Sequence, residues 1–298
     1  MRLTPATALL LVTPPLLWAG NAVVGRMVVG LVPPVTLNFL RWAIAFALLV
    51  PLAPWVLRPG SPLWPRWRRY SLLGLLGIGC YNALQYLALH TSSAVNVTLV
   101  ASTMPLWVLL LGHLFYRSPA TRFQFVGVLL SIAGVLVVLT GGHWRGLGDW
   151  RPVPGDLLML LAALLWAWYS WLLVPPADEP ERLHADWAAL LLAQVVFGLG
   201  WSALFAAGER VLDHATIHWG WPLAAALAFV AIGPALIAYR CWGLGVQQAG
   251  PAIAGVFFNL APLFAAVLST VLLGERPQAF HALAFVLIAT GIVISSRR

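Results

Sequence analysis

Long apolar segments separated by short polar loops run through the whole chain. Ten of these segments reach about 20 residues, the length that an α-helix needs to cross a bilayer. They lie at residues 6–27, 35–57, 69–89, 93–114, 121–140, 155–174, 186–207, 221–243, 250–272 and 278–295. The pattern predicts an all-α polytopic membrane protein with ten transmembrane helices, folded as a single domain over residues 1–298.

The second half of the chain repeats the pattern of the first. Identical residues recur at an offset of 157 positions: Pro105 and Pro262, Phe123 and Phe280, Gly134 and Gly291. A weaker echo, Leu-Leu-Trp-Ala at 16–19 and again at 164–167, has an offset of 148. Because each half holds five spans, an odd number, the second half enters the membrane from the opposite side. We therefore predict two inverted five-helix repeats, at about residues 1–145 and 150–298, a common construction of transporters.

Composition indicates that the chain lies in a membrane, and the distribution of charge predicts its orientation there. Hydrophobic residues make up 61% of the chain and charged residues 9%, whereas soluble proteins are about a quarter charged. Arginines, with no lysine, give the net charge of +8, and the cluster Arg66, Arg68 and Arg69 contributes most of their bias toward one side. The positive-inside rule then predicts that both the N- and the C-terminus lie in the cytoplasm. No basic patch interleaved with exposed aromatic residues indicates a nucleic-acid partner.

Polar and aromatic side chains within the predicted spans are the candidate substrate ligands, because polar groups are costly in lipid. Tyr81 and Gln85 share one helix face, and Trp166 and Tyr169 share another. The candidate substrate-binding residues are Trp18, Asn21, Tyr81, Asn82, Gln85, Tyr86, His90, Ser102, Trp107, Trp166, Tyr169, Tyr239 and Asn259. The alternative for each amide and hydroxyl is a bond to a neighbouring helix, and for each deep tryptophan it is helix packing.

Two prolines occupy the same place in the fourth helix of each predicted repeat. A proline within a span removes one backbone hydrogen bond and bends the helix. Pro105 and Pro262 are therefore predicted to kink their helices. The kinks either serve as hinges beside the cavity or only shape the packing.

Charged residues are nearly excluded from the predicted spans. Arg41 and Arg240 are the only charges well inside the spans. Arg41 either reaches the membrane surface or bonds carbonyls or lipid phosphate, and Arg240 either reaches the surface or meets a substrate carboxylate. No Asp or Glu lies deep in a span, so a buried carboxylate that exchanges a proton for a cation is not indicated. His90 is then the best remaining titrating group, with a structural role as the alternative.

The chain resembles the drug/metabolite transporter superfamily, specifically its EamA-type branch. The resemblance is carried by Trp18-Ala-Gly-Asn21, Leu40-Arg41, the segment from Ala94 to Pro105, the Ala-Gly-Val-Leu-Val-Val run at 133–138 and the stretch from Pro262 to Arg276. The chain departs from the pattern at Arg117-Ser118, where the family commonly shows Gly-Glu-Arg. The resemblance implies ten helices in inverted five-helix repeats, the export of small metabolites and a location in a bacterial inner membrane. The aromatic-rich first, third and sixth helices resemble those of bacterial amino-acid exporters.

The function predicted is the export of small metabolites, most of all aromatic or neutral amino acids, by alternating access between the two repeats. The alternative is a multidrug or lipophilic-cation exporter of the same superfamily. The motifs of metalloproteases and serine hydrolases are absent from the sequence, which argues against an enzyme. A nucleotide-sugar carrier is disfavoured because phosphate needs several basic partners. We expect a small-molecule substrate and the lipid bilayer as partners, no cofactor or metal, and a state compatible with a monomer.

Overall fold

The chain folds into α-helices over the described residues of a computed structural model. These residues are 3–92, 97, 100–140, 153–176, 178, 180–213, 216–273 and 279–297, and within them no β-strand occurs. The helices are α1 (Pro5–Met27), α2 (Pro34–Leu49), α3 (Trp64–Thr91), α4 (Met104–Phe115), α5 (Arg122–Leu139), α6 (Pro154–Leu172), α7 (Trp187–Asp213), α8 (Trp221–Ala249), α9 (Pro251–Phe257, a 3-10 turn at Phe258–Leu260, then Ala261–Leu273) and α10 (Ala279–Ser295).

Five of these helices, α1, α3, α6, α7 and α8, are long and apolar enough to cross a membrane. The other five contribute apolar helical stretches of 10–17 residues. The chain is therefore an all-helical protein with several membrane-spanning helices, as the apolar pattern predicts. The count of ten spans and the side on which the termini lie stay predictions.

Two helices differ in length from the predicted spans. α2 ends at Leu49 instead of residue 57, because Pro51 and Pro54 cannot continue it, and a short 3-10 turn follows at Pro54–Leu57. α8 continues past residue 243 to Ala249, and it stops before Gly250, whose φ of 85° favours glycine. The polar end of α8 is tied to the start of α1 by a hydrogen bond from Thr7 Oγ1 to Gln248 Oε1 of 2.8 Å.

The main helix contacts form a symmetric set. α1 packs against α8 and α9, while α6 packs against α3 and α4; α2 packs against α8, while α7 packs against α3. α2 also packs against α7, α4 against α9, and α5 against α10. If α1 to α5 are exchanged with α6 to α10 in order, the same list of contacts results. A pseudo-two-fold axis between two five-helix units would produce such a symmetric list. The repeat boundaries at 145 and 150 fall outside the described residues and stay predictions.

Two helix pairs approach so closely that only glycine fits between them. A Cβ added at Gly127 of α5 would lie 2.5 Å from the carbonyl oxygen of Gly291 in α10. A Cβ added at Gly74 of α3 would lie 2.6 Å from the backbone nitrogen of Gly198 in α7. Small residues are what allow such close contact in membrane helices.

α3 and α8 each widen into a π-helical segment, at Leu75–Cys80 and Ala231–Ile237. The segments start 156 positions apart (231 − 75), close to the offset of the sequence repeat. In each π segment, a side chain from another helix donates a hydrogen bond to a backbone carbonyl. Tyr239 Oη donates to the Gly77 carbonyl, and Trp18 Nε1 donates to the Pro234 carbonyl at 3.2 Å. The sequence analysis missed these segments, which hold two of its candidate residues in place.

Candidate functional site

Both predicted kinks coincide with interruptions of regular α-helix. A turn at Ser102 and Thr103 precedes α4, and Pro105 lies in the first turn of α4. In α9 the 3-10 turn at Phe258–Leu260 comes directly before the α-helical segment that contains Pro262. Proline has no N–H and crowds the carbonyl four residues earlier, so regular hydrogen bonding fails on its N-terminal side. The prolines therefore lie at bends, and their role as hinges stays a prediction.

Aromatic rings from six helices meet between α1, α3, α6 and α8. We call this group the aromatic cluster; its members are Trp18, Trp42, Tyr81, Trp166, Tyr169, Tyr239, Trp242 and Phe258. Trp166 is at its centre, with ring centroids 4.7 Å from Tyr81, 5.1 Å from Trp18 and 5.3 Å from Tyr239. Trp166 is 1% exposed. The cluster fills the middle of the molecule with polarisable apolar surface.

A small cavity lies beside the aromatic cluster, between α1, α3, α4 and α9. Its volume is about 50 Å³, well below the roughly 300–1,000 Å³ of pockets that hold small organic ligands. We call it the central cavity; the residues that line it are Trp18, Ala19, Asn21, Ala22, Tyr81, Asn82, Gln85, Ala101, Ser102, Phe258, Ala261, Pro262 and Ala265. Admitting a substrate here requires the helices to separate.

The chemistry of the central cavity is neutral. Its walls combine the rings of Trp18 and Tyr81 with the amides of Asn21, Asn82 and Gln85. Amides both donate and accept hydrogen bonds, so they pair with ammonium and with carboxylate groups alike. Among the described residues, the lining includes no carboxylate. The cavity can therefore hold an aromatic or apolar molecule that carries polar groups.

Arg41 of α2 lies next to this cavity and is fully buried. Its Nη1 faces Asn21 Oδ1 at 3.5 Å and Tyr86 Oη at 3.3 Å, and Tyr86 Oη donates to the same Asn21 Oδ1 at 3.0 Å. Its guanidinium carbon also lies 5.3 Å from the centre of the Trp42 ring. The position corrects the prediction that Arg41 reaches the membrane surface or lipid phosphate. Packing of α1 and α3 over α2 encloses it, and the charge within an apolar span was the signal in the sequence.

The structure brings most of the predicted ligands together. Six of them line the central cavity, namely Trp18, Asn21, Tyr81, Asn82, Gln85 and Ser102. Trp166, Tyr169 and Tyr239 belong to the aromatic cluster, and Tyr86 bonds to Asn21 and Arg41. Their role as substrate ligands stays a prediction.

Three predicted ligands lie elsewhere. His90 is exposed at the end of α3, where it lines a separate cavity of about 140 Å³. Trp107 is half-buried in α4 and packs against the core. Asn259 is fully buried beside Phe258, and neither polar atom of its side chain has a hydrogen-bond partner. None of the three lines the central cavity.

Comparison with known proteins gives the family. The EamA-like transporter family matches the chain twice, over residues 5–140 and over residues 153–297. The chain belongs to the EamA-like transporter family. This confirms the resemblance drawn from the motifs, and the double match falls on the two halves that the sequence repeat distinguishes. The family name indicates that this chain is a transporter rather than an enzyme.

Several relatives of this EamA-like transporter align over nearly the whole chain. An uncharacterized transporter of Archaeoglobus fulgidus is 27% identical over 98% of both chains. The uncharacterized inner membrane transporter YedA of Escherichia coli is 26% identical over 94% of this chain and 87% of its own. The aromatic amino acid exporter YddG of Ancylobacter novellus is 27% identical over 94% of this chain and 93% of its own.

A solved crystal structure is also similar to this EamA-like transporter. It aligns with a TM-score of 0.73 at 24% identity, and the alignment covers 99% of this chain and 96% of that one. This likeness shows a shared fold. Within the part of the chain that the structure describes, no group of three or more His, Cys, Asp or Glu side chains could hold a metal ion.

Proposed function

We propose that this EamA-like transporter exports small amino acids, aromatic or neutral, across the inner membrane. The observation that carries the proposal is the neutral central cavity, in which the rings of Trp18 and Tyr81 face three amide side chains. Aromatic faces bind an apolar or aromatic side chain, and amides bind the polar ends of a zwitterion. The relative named as an aromatic amino acid exporter supports the same substrate class.

The proposed mechanism is alternating access. Two inverted repeats rock about the central cavity, so that it opens to one side of the membrane and then to the other. The symmetric helix contacts support this arrangement. Pro105 in the first turn of α4 and Pro262 directly after the 3-10 turn of α9 are the proposed hinge positions.

A second proposal, export of lipophilic cations, finds some support in the aromatic cluster, since ring faces attract cations. The neighbouring charge of Arg41 opposes it, as does the lack of a carboxylate in the cavity lining. We therefore rank amino acids first.

Uptake into proteoliposomes tests the two substrate classes directly. Purified protein is supplied with radiolabelled aromatic and neutral amino acids and, separately, with a lipophilic cation, each with and without an imposed pH gradient. We expect saturable amino-acid flux in protein-containing vesicles and none in protein-free vesicles. Cation flux that requires the pH gradient, with no amino-acid flux, would overturn the proposal and favour the drug exporter.

A further inference from the structure

Arg41 carries a permanent charge that no carboxylate matches among the residues that the structure describes. Its guanidinium has five N–H donors, yet besides its contact with the Trp42 ring it makes two long hydrogen bonds to described residues, of 3.3 and 3.5 Å, both to neutral acceptors. Nε and Nη2 have no hydrogen-bond partner although the side chain is fully buried. A guanidinium does not lose its proton in proteins, so the charge is present in every state of the transporter.

The described carboxylates that could neutralise Arg41 are engaged elsewhere. Glu209 accepts hydrogen bonds from the first turn of α2, at the backbone nitrogens of Val35 and Thr36. Asp156 bonds to the Val153 backbone nitrogen at the start of α6, and Asp186 bonds to the first turn of α7. Asp178 pairs with Arg66 at 3.0 Å. An isolated buried cation is costly in a low-dielectric interior, so Arg41 favours any anion that can reach it.

The central cavity is the place from which an anion can reach Arg41. Asn21 Oδ1 accepts from both Arg41 and Tyr86, and the same Asn21 lines the cavity. A single amide oxygen therefore stands between the guanidinium and the space proposed for the substrate. A carboxylate has two oxygens at the spacing of the guanidinium fork and forms shorter, stronger hydrogen bonds than an amide. It would replace Asn21 Oδ1 as the acceptor and gain the Tyr86 hydroxyl as a further donor.

The other half of the chain does without a charge at the matching position. α2 and α7 begin at Pro34 and Trp187, an offset of 153 (187 − 34), so Arg41 corresponds to Gln194. Gln194 Oε1 accepts from Tyr169 Oη at 2.9 Å. In α7 the neutral side chain of Gln194 makes the corresponding contact. Packing alone therefore does not require a charge at this position, and the positive charge of Arg41 needs a separate explanation.

We propose that Arg41 binds the carboxylate of the transported amino acid. The proposal rests on the proposed function and narrows it, because substrates must then carry a carboxylate in addition to an apolar side chain. Full burial separates Arg41 from lipid headgroups, so the substrate is the source of the anion. Arg41 thus sets which end of the zwitterion faces α2.

The test compares three compounds that share one ring and one amine: phenylalanine, phenylalaninamide and phenethylamine. Each competes with radiolabelled phenylalanine for uptake into proteoliposomes. Wild-type protein should prefer phenylalanine over the other two by roughly 10- to 100-fold, the range expected for hydrogen bonds to a charged group. R41Q should lose most of this preference, and R41K should lower it by several-fold because an ammonium cannot make the two-bond fork.

R122Q is the matched control, since Arg122 is an exposed arginine at the start of α5 whose guanidinium carbon lies 5.0 Å over the Phe123 ring. It should keep the wild-type preference. Thermal unfolding of each purified variant identifies any that fails to fold. If R41Q does not fold, R41K is compared with wild type instead. Equal competition by all three compounds in wild type, or an unchanged preference in folded R41Q or R41K, overturns the role of Arg41 while leaving transport intact. Absence of phenylalanine uptake in wild type overturns the proposed function itself.

Discussion

At the scale of single residues, two tryptophans of one helix differ in their surroundings: one is packed in the interior and the other lies partly on the outer surface. Trp166 and Trp168 lie two residues apart in α6, yet Trp166 is 1% exposed and Trp168 is 37% exposed. The helix turns by about 200° between them, so the two rings cannot share a face. The sequence pattern indicates that at most one of them faces the interior, and contacts with Trp18, Tyr81 and Tyr239 identify it as Trp166.

This contrast predicts very different costs for the two truncations. W166A removes a buried indole that touches several rings, and large-to-small core changes of this kind cost about 3–5 kcal/mol. W168A should cost less than about 1 kcal/mol, because much of its ring contacts the surroundings of the protein. Thermal unfolding in one detergent measures both. A W166A protein as stable as W168A would show that the aromatic cluster does not support the fold.

Two hydrogen bonds to the π segments give a second prediction at this scale. Trp18 Nε1 donates to a carbonyl in the π segment of α8, and Tyr239 Oη donates to a carbonyl in the π segment of α3. W18F and Y239F keep a ring in place but remove the donor, so each should lower the free energy of unfolding by about 1 kcal/mol. F46Y, which alters a ring outside the π segments, provides the comparison in the same unfolding assay. No loss of stability in either phenylalanine variant would contradict the role given to these bonds.

At the scale of helices, close packing through glycine makes α5 and α10 a tight pair. A methyl group at Gly127 would meet the backbone of α10 at 2.5 Å, whereas at Gly200 of α7 it would meet nothing within 4 Å. G127A should therefore destabilise the protein by about 1–3 kcal/mol through overpacking, and G200A should be neutral or slightly stabilising because alanine is the better helix former. The midpoints of thermal unfolding of G127A and G200A in detergent measure this difference in stability. Equal midpoints would mean that the two helices separate readily.

The helices also show how far the sequence alone predicts the site. Apolar length and the repeat indicate the helices and the matching bends at Pro105 and Pro262, and polar positions within spans indicate Asn21, Asn82 and Gln85 at one cavity. A 3.6-residue period carries no sign of a π segment, so the donors to Gly77 and Pro234 were not foreseen. The burial of Arg41 was missed for another reason: it depends on side chains from α1 and α3, which only the packing brings over α2.

At the scale of the whole molecule, the arginine distribution predicts orientation in the membrane. The loop between α2 and α3 holds Arg58, and Arg66 follows in the first turn of α3. These charges favour the cytoplasm, and the loop between α7 and α8 then lies on the opposite side. Exposed positions in the two loops, Gly60 and Thr216, are suitable for a labelling test. In a background without Cys80 and Cys241, a membrane-impermeant thiol reagent applied to intact cells should label T216C and spare G60C.

Inside-out vesicles should reverse this result, with G60C labelled and T216C protected. The same pattern follows from the repeat, since five helices per repeat place equivalent loops on opposite faces. Labelling of both positions from one side would contradict the inverted arrangement, because the five crossings of α3 to α7 place the two loops on opposite sides. The measurement therefore tests orientation together with an odd number of crossings in the middle of the chain, where α4 and α5 contribute the shorter apolar helices. If only one of these two helices failed to cross, the number would be even and both loops would be labelled from the same side.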